Sequence, residues 1–148
     1  MENEVLQIVM RFIHIVSAIV LVGGNAYIAT VMLSSLRLVE DSLRNSILKL
    51  AADRFTRIVW IGIAGLVVSG AYNWVLLAPM YKAMGPVGNA LIGSKVLLAL
   101  ILFLLVWANR VGLTKLSVRA YLILNLHLAA AVIVVAVVLR TLRLAHGG

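Results

Sequence analysis

His14 and Lys95 are the residues of this 148-residue sequence best suited to do chemistry. Each lies in an apolar run long enough to cross a bilayer. There a charged or strongly polar side chain costs roughly 2.5 kcal/mol or more, and it persists where it faces a protein interior or a bound group. An imidazole can ligate a metal, and a nearby lysine can balance an anionic group. The run around His14, HIVSAIVLVGGNAY, also carries Ser17, a Gly-Gly pair and Asn25. Whether His14 and Lys95 belong to one site depends on the helices that carry them.

The composition points to a membrane protein. The chain is 64% hydrophobic and 12% charged, and its mean hydropathy is +1.11. A soluble domain of this length needs far more polar surface. The net charge of +8 comes from basic residues lying between the apolar runs, which fits orientation in a membrane better than a nucleic-acid surface. With no cysteine there is no disulfide, thiolate metal site or cysteine redox chemistry. The acidic start, MENEV, and the lack of a small-residue cleavage site make the first run a retained helix, not a signal peptide.

Four runs approach or exceed the ~20 residues that span a bilayer, at about 6–33, 58–77, 90–108 and 120–139. Backbone groups in lipid must be satisfied within the segment, so these are helices. Short connections make them sequential antiparallel neighbours. The expected fold is all-α, an integral membrane four-helix bundle of up-down topology in one domain, residues 1–148. Residues 34–57 are too charged to span. Leu36, Val39, Leu43, Ile47 and Leu50 recur there at helical spacing, which predicts a cytoplasmic amphipathic helix that extends the first span or lies on the membrane surface. Residues 78–93 hold Pro79, Pro86, Gly85 and Gly88 and read as an external loop. Eight basic residues fall in the first and third connections, against four on the other side. The expected placement is therefore multi-pass in a bacterial inner membrane with both termini outside.

In that topology His14 and Lys95 both lie in the outer third of the bilayer, within ~5 Å of each other in depth. Tyr72, Asn73 and Arg140 end at the same level, so His14, Ser17, Tyr72, Asn73, Lys95 and Arg140 can form one outer polar cluster. Asn25, Asn109 and Asn125 define a deeper layer, explained by interhelical amide bonds of about 0.6–2 kcal/mol each. His127 is about 200° around its helix from Asn125, so the two cannot both face the bundle axis. Gly62, Gly65, Ser69 and Asn73 share one side of the second span, where small residues let helix backbones approach. No acidic residue lies in any span to orient a histidine or act as a base, and no phosphate loop or dinucleotide fingerprint occurs, which excludes a hydrolase constellation.

The segments FIHIVSAIVLVGG, RFTRIVWIGIAGLVVSGAYN, GNALIGSKVLLALILFLLVWANR and SVRAYLILNLHLAAAVIVVAVVL together resemble the copper-resistance CopD-like membrane domain over nearly all of residues 8–140. The third segment, from Gly to Lys and ending in Asn-Arg, is the most specific. The His-in-first-helix, Lys-in-third-helix arrangement is also similar, more distantly, to HemJ-type protoporphyrinogen oxidase. The sequence departs from HemJ where Asn125 is followed by Leu126 and His127, and from CopD where Tyr121 or Asn125 stands near the expected acidic residue. The first resemblance implies a protein that binds or passes copper, with His14 as ligand helped by His127 or Met10, since imidazole and thioether both suit that metal. The second implies a b-type haem with His14 as axial ligand and Lys95 or Arg140 pairing with its propionates. A third reading is a non-enzymatic helper that associates with itself or a larger complex through its Gly62/Gly65/Ser69 and His127/Ala130/Ala131 faces.

Overall fold

The first apolar run folds as α1, Glu2–Tyr27, and it does not stop where the hydrophobic run thins. A π-helical turn at Ile28–Met32, an α-helical turn at Leu33–Ser35 and a 3-10 turn at Leu36–Leu38 carry it on. Val39, extended at φ −107° and ψ 144°, ends it. The computed structural model describes residues 2–145, and the side chains of all of these except 2, 3 and 52. Three further long helices follow: α2 Asp41–Ala83, α3 Gly85–Arg110 and α4 Val118–Ala145. The protein is all-α, and its four long helices are each apolar enough to cross a bilayer, as the four-helix membrane class requires.

The break after Leu38 changes the expected role of residues 34–57. Residues 41–57 neither extend the first span nor form a separate surface helix; they are the first part of α2. The physical reason lies in the Glu40–Asp41–Ser42 stretch. Its carboxylates favour the positive end of a helix, the Glu40 carbonyl accepts the Arg44 N–H at 2.8 Å, and Asp41 pairs with Arg44 at 2.7 Å. At about 1.5 Å per residue α2 is about 65 Å long, roughly twice the hydrocarbon thickness. Its charged first part therefore projects beyond the lipid.

The chain divides into two compact units, Met1–Asn73 and Trp74–Gly148, with α2 contributing to both. In the first, α1 lies against α2 along His14, Ser17, Leu21 and Gly24, spaced three and four residues apart as in a helix-packing seam. Facing them are Ser69 and Gly70, Gly65, Gly62 and Phe55. A Cβ on Gly24 would meet the Phe55 ring at 2.5 Å, and one on Gly62 would meet Leu21 Cδ2 at 2.9 Å. A Cβ on Gly65 would collide with the Ser17 hydroxyl. The small-residue stripe thus serves packing within the chain.

In the second unit the expected loop at 78–93 is absent. α2 continues through Pro79 to Ala83, and α3 starts at Gly85 after one residue, Met84. Proline and glycine mark a tight turn here. Pro86 sits in the first turn of α3, where its missing N–H costs nothing, and Gly85 takes φ +65°, which disfavours other residues. Gly88 packs on the Tyr81 carbonyl, 2.5 Å from where its Cβ would stand. Tyr81, Met84 and Leu139 form the buried core of this unit, with Leu77, Leu91, Ile92 and Leu142 around them.

α3 ends in a Schellman closure. Gly112 at φ +76° lets Leu113 N–H reach the Ala108 carbonyl at 2.9 Å and its own N–H reach that of Asn109 at 3.3 Å. Ser117 Oγ then accepts the Ala120 N–H and caps α4. Gly62→Leu is expected to destabilise the protein by about 1–3 kcal/mol through overpacking on Leu21. Gly93→Ala, inside a helix and with nothing within 4 Å of the added carbon, is expected to stabilise it by about 0.5–1 kcal/mol. Thermal melts in detergent followed by circular dichroism check the contrast.

Candidate functional site

His14 lies on the face of α1 that meets α2, and its imidazole is half-buried against Gly70. A Cβ there would stand 3.6 Å from His14 Cε1. Its Nδ1 is 2.9 Å from the hydroxyl of Ser69, a residue with no exposed surface. That hydroxyl also lies 2.5 Å from the Gly65 carbonyl. A carbonyl only accepts, so the single hydroxyl proton of Ser69 goes to Gly65. The Ser69 oxygen must then accept from His14, which places the imidazole proton on Nδ1 and the lone pair on Nε2. Fixing the tautomer through the other ring nitrogen is how proteins prepare a histidine to ligate a metal.

Ser69 reads from the sequence as one member of a packing stripe. Its role as the orienting partner of His14 follows from the register of α1 on α2. The only trace in the sequence is a polar residue on an otherwise small-residue face. Met10 precedes His14 by about one turn of α1 and is likewise half-buried, so a thioether shares the imidazole's face. Tyr72, half-buried, stands about one turn beyond Ser69 on α2.

The remaining predicted site residues belong to the second unit. Lys95 is half-buried on α3 and has no ion pair among the described residues. All five carboxylates of the sequence precede residue 54, so the second unit contains none. Arg140 is exposed near the end of α4, next to the core residue Leu139. Arg143 lies beside the Tyr81 hydroxyl. His127 is exposed, with Nδ1 2.8 Å from the Ile123 carbonyl of its own helix.

Two of the three asparagines of the expected deeper layer, Asn109 and Asn125, bond locally and not to another spanning helix. Asn109 Oδ1 accepts from Thr114 Oγ1 at 2.9 Å and holds the end of α3. Asn125 is buried at 5% exposure, and its Nδ2 donates to the Tyr121 carbonyl one turn earlier on α4 at 3.0 Å. The buried Asn125 and exposed His127 do lie on opposite faces of α4, as their spacing requires.

Among the described residues no group of three or more His, Asp or Glu side chains is arranged to hold a metal ion. A metal at His14 would have to use few protein ligands, with neutral donors. No family model, curated protein or solved structure matches this chain.

Ser69→Ala removes the acceptor of the His14 N–H. It is expected to destabilise the α1–α2 pair by about 0.6–2 kcal/mol and to release the imidazole to both tautomers. Nitrogen-15 NMR of the imidazoles checks this. Wild-type His14 should give a protonated Nδ1 and unprotonated Nε2, and the variant a mixture.

Proposed function

We propose that this chain is a small multi-pass membrane protein that binds copper through His14, with Met10 as a second donor on the same helix face. The observation that carries the reading is the hydrogen bond from His14 to the fully buried Ser69, which fixes the orientation and the tautomer of the imidazole. Imidazole and thioether are both neutral and soft enough for copper(I). In a segment without carboxylates they suit a monovalent ion better than a divalent one, because no anionic ligand offsets the added charge. The resemblance to CopD-like membrane domains points the same way. In this reading the protein lies in a bacterial inner membrane with both termini outside, so His14 takes up the ion from the outer side.

A haem anchored on His14 is the competing occupant, and the same preparation separates the two. Protein purified from haem-replete cells is expected to show no Soret band, oxidised or dithionite-reduced. Titration against a copper(I) chelator should give one bound equivalent. His14→Ala should abolish binding, and Ser69→Ala should weaken it about tenfold, as loss of an orienting partner usually does. A Soret band that shifts on reduction and vanishes in His14→Ala would overturn copper in favour of haem. Unchanged copper affinity in His14→Ala would overturn the site itself.

A further inference from the structure

Tyr81 and Leu139 meet in the core of the second unit, which brings the last turn of α2 and the final part of α4 to one end of it. Tyr81 is only 7% exposed, yet its hydroxyl has a polar neighbour, the half-buried guanidinium of Arg143. Arg143 follows Leu139 by four residues and so shares its face of α4. The packing of Leu139 therefore carries the guanidinium to Tyr81. Lys82 comes directly after Tyr81 and Arg140 directly after Leu139, and both are exposed at that level. Arg140 and Arg143, three residues apart, are neighbours on the surface of α4.

Three positive charges thus gather at this end, and the protein does not neutralise them. The second unit has no Asp or Glu, and among the described residues none of Lys82, Arg140 and Arg143 forms an ion pair. Like charges so close are unfavourable, the more so beside a low-dielectric core, and an anion relieves them. The hydrogen-bonding groups are of one kind as well. A guanidinium only donates, so the Tyr81 oxygen accepts from Arg143 and its own O–H is left to donate. Lys82 and Arg140 add further donors.

A cluster of cations and donors repels a metal ion and fits an oxyanion. Phosphate presents several oxygens to several donors, and the arginine fork can hold two of them at once. An arginine that served only solubility would extend into water; Arg143 is instead seated against a buried hydroxyl. We infer that Arg143, held by Tyr81 and flanked by Arg140 and Lys82, binds a phosphate group, borne by an anionic phospholipid or by a soluble phosphate. The site lies at the ends of two helices apolar enough to span, the level at which lipid phosphates stand. It uses no residue of the first unit and does not depend on copper at His14.

The full-length protein in a neutral detergent is titrated calorimetrically with short-chain phosphatidylglycerol, short-chain phosphatidylcholine and inorganic phosphate. Phosphatidylglycerol is expected to bind more tightly than phosphatidylcholine, whose ammonium offsets the phosphate charge. Arg143→Gln should weaken binding about tenfold, the usual cost of a lost charge-assisted hydrogen bond. Tyr81→Phe keeps the ring in the core and should weaken it about fivefold, so a folding defect in the first variant does not decide the matter. Lys115→Gln removes the same charge from the connection at the other end of the unit and should change nothing. His14→Ala should change nothing either, so this site and the copper site fail separately. Inorganic phosphate that binds with the same dependence on Arg143 identifies a soluble phosphate as the ligand, and phosphatidylglycerol binding alone assigns the lipid headgroup. Equal weakening by Lys115→Gln, wild-type affinity in both Arg143→Gln and Tyr81→Phe, or no binding of any of the three ligands would overturn the inference.

Discussion

The close approach of α1 to α2 is the constraint on which the first unit depends. In lipid there is no hydrophobic drive between helices, so association rests on van der Waals contact and interhelical hydrogen bonds. Gly24, Gly62 and Gly65 supply the contact, each leaving a gap that a side chain from the other helix fills. That distance lets the Ser69 hydroxyl lie between two partners, giving its proton to Gly65 and accepting one from His14. A wider separation would lose the interhelical bond, and with it the fixed tautomer. Packing and chemistry therefore share the same residues.

Charge distribution sets the limits within which the rest works. The acidic residues are confined to the first 53 positions, and the recorded ion pair between Asp41 and Arg44 lies at the start of α2, outside the apolar span. Basic residues continue along the whole chain. The second unit, which carries His127, therefore has no Asp or Glu side chain to raise the basicity of that ring. Orientation falls to neutral oxygens: a serine hydroxyl for His14 and a backbone carbonyl for His127. Both arrangements leave Nε2 as the acceptor, but one ring is held in a packed seam and the other faces outward. The same side chain thus acquires two different chemical settings.

Much of the architecture was written in the sequence. Run length and hydropathy gave four apolar helices, because a spanning backbone has no alternative to satisfying itself. Helical periodicity placed Gly62, Gly65 and Ser69 on one side and put Asn125 and His127 on opposed faces, since both follow from a rotation of about 100° per residue. Boundaries were read less well. Pro79 and Pro86 suggested a long loop, yet one proline is accommodated inside α2 and the other sits where a helix needs no donor. The amphipathic residues 41–57 carry the same period whether they extend α1 or begin α2. Only the extended backbone at Val39 decides between them.

The sequence by itself determined the class of the protein, its candidate histidines and the absence of any acid to serve them. Tertiary structure decided what each histidine touches. Whether Ser69 meets His14 depends on the register of one helix against another, a difference of a few ångströms that no periodicity contains. Whether Asn109 and Asn125 bond across helices or within their own depends on which acceptor is nearest once the backbone has closed its turns. The reason is physical: hydropathy and period act along one chain segment, while a hydrogen bond between segments needs the positions of both.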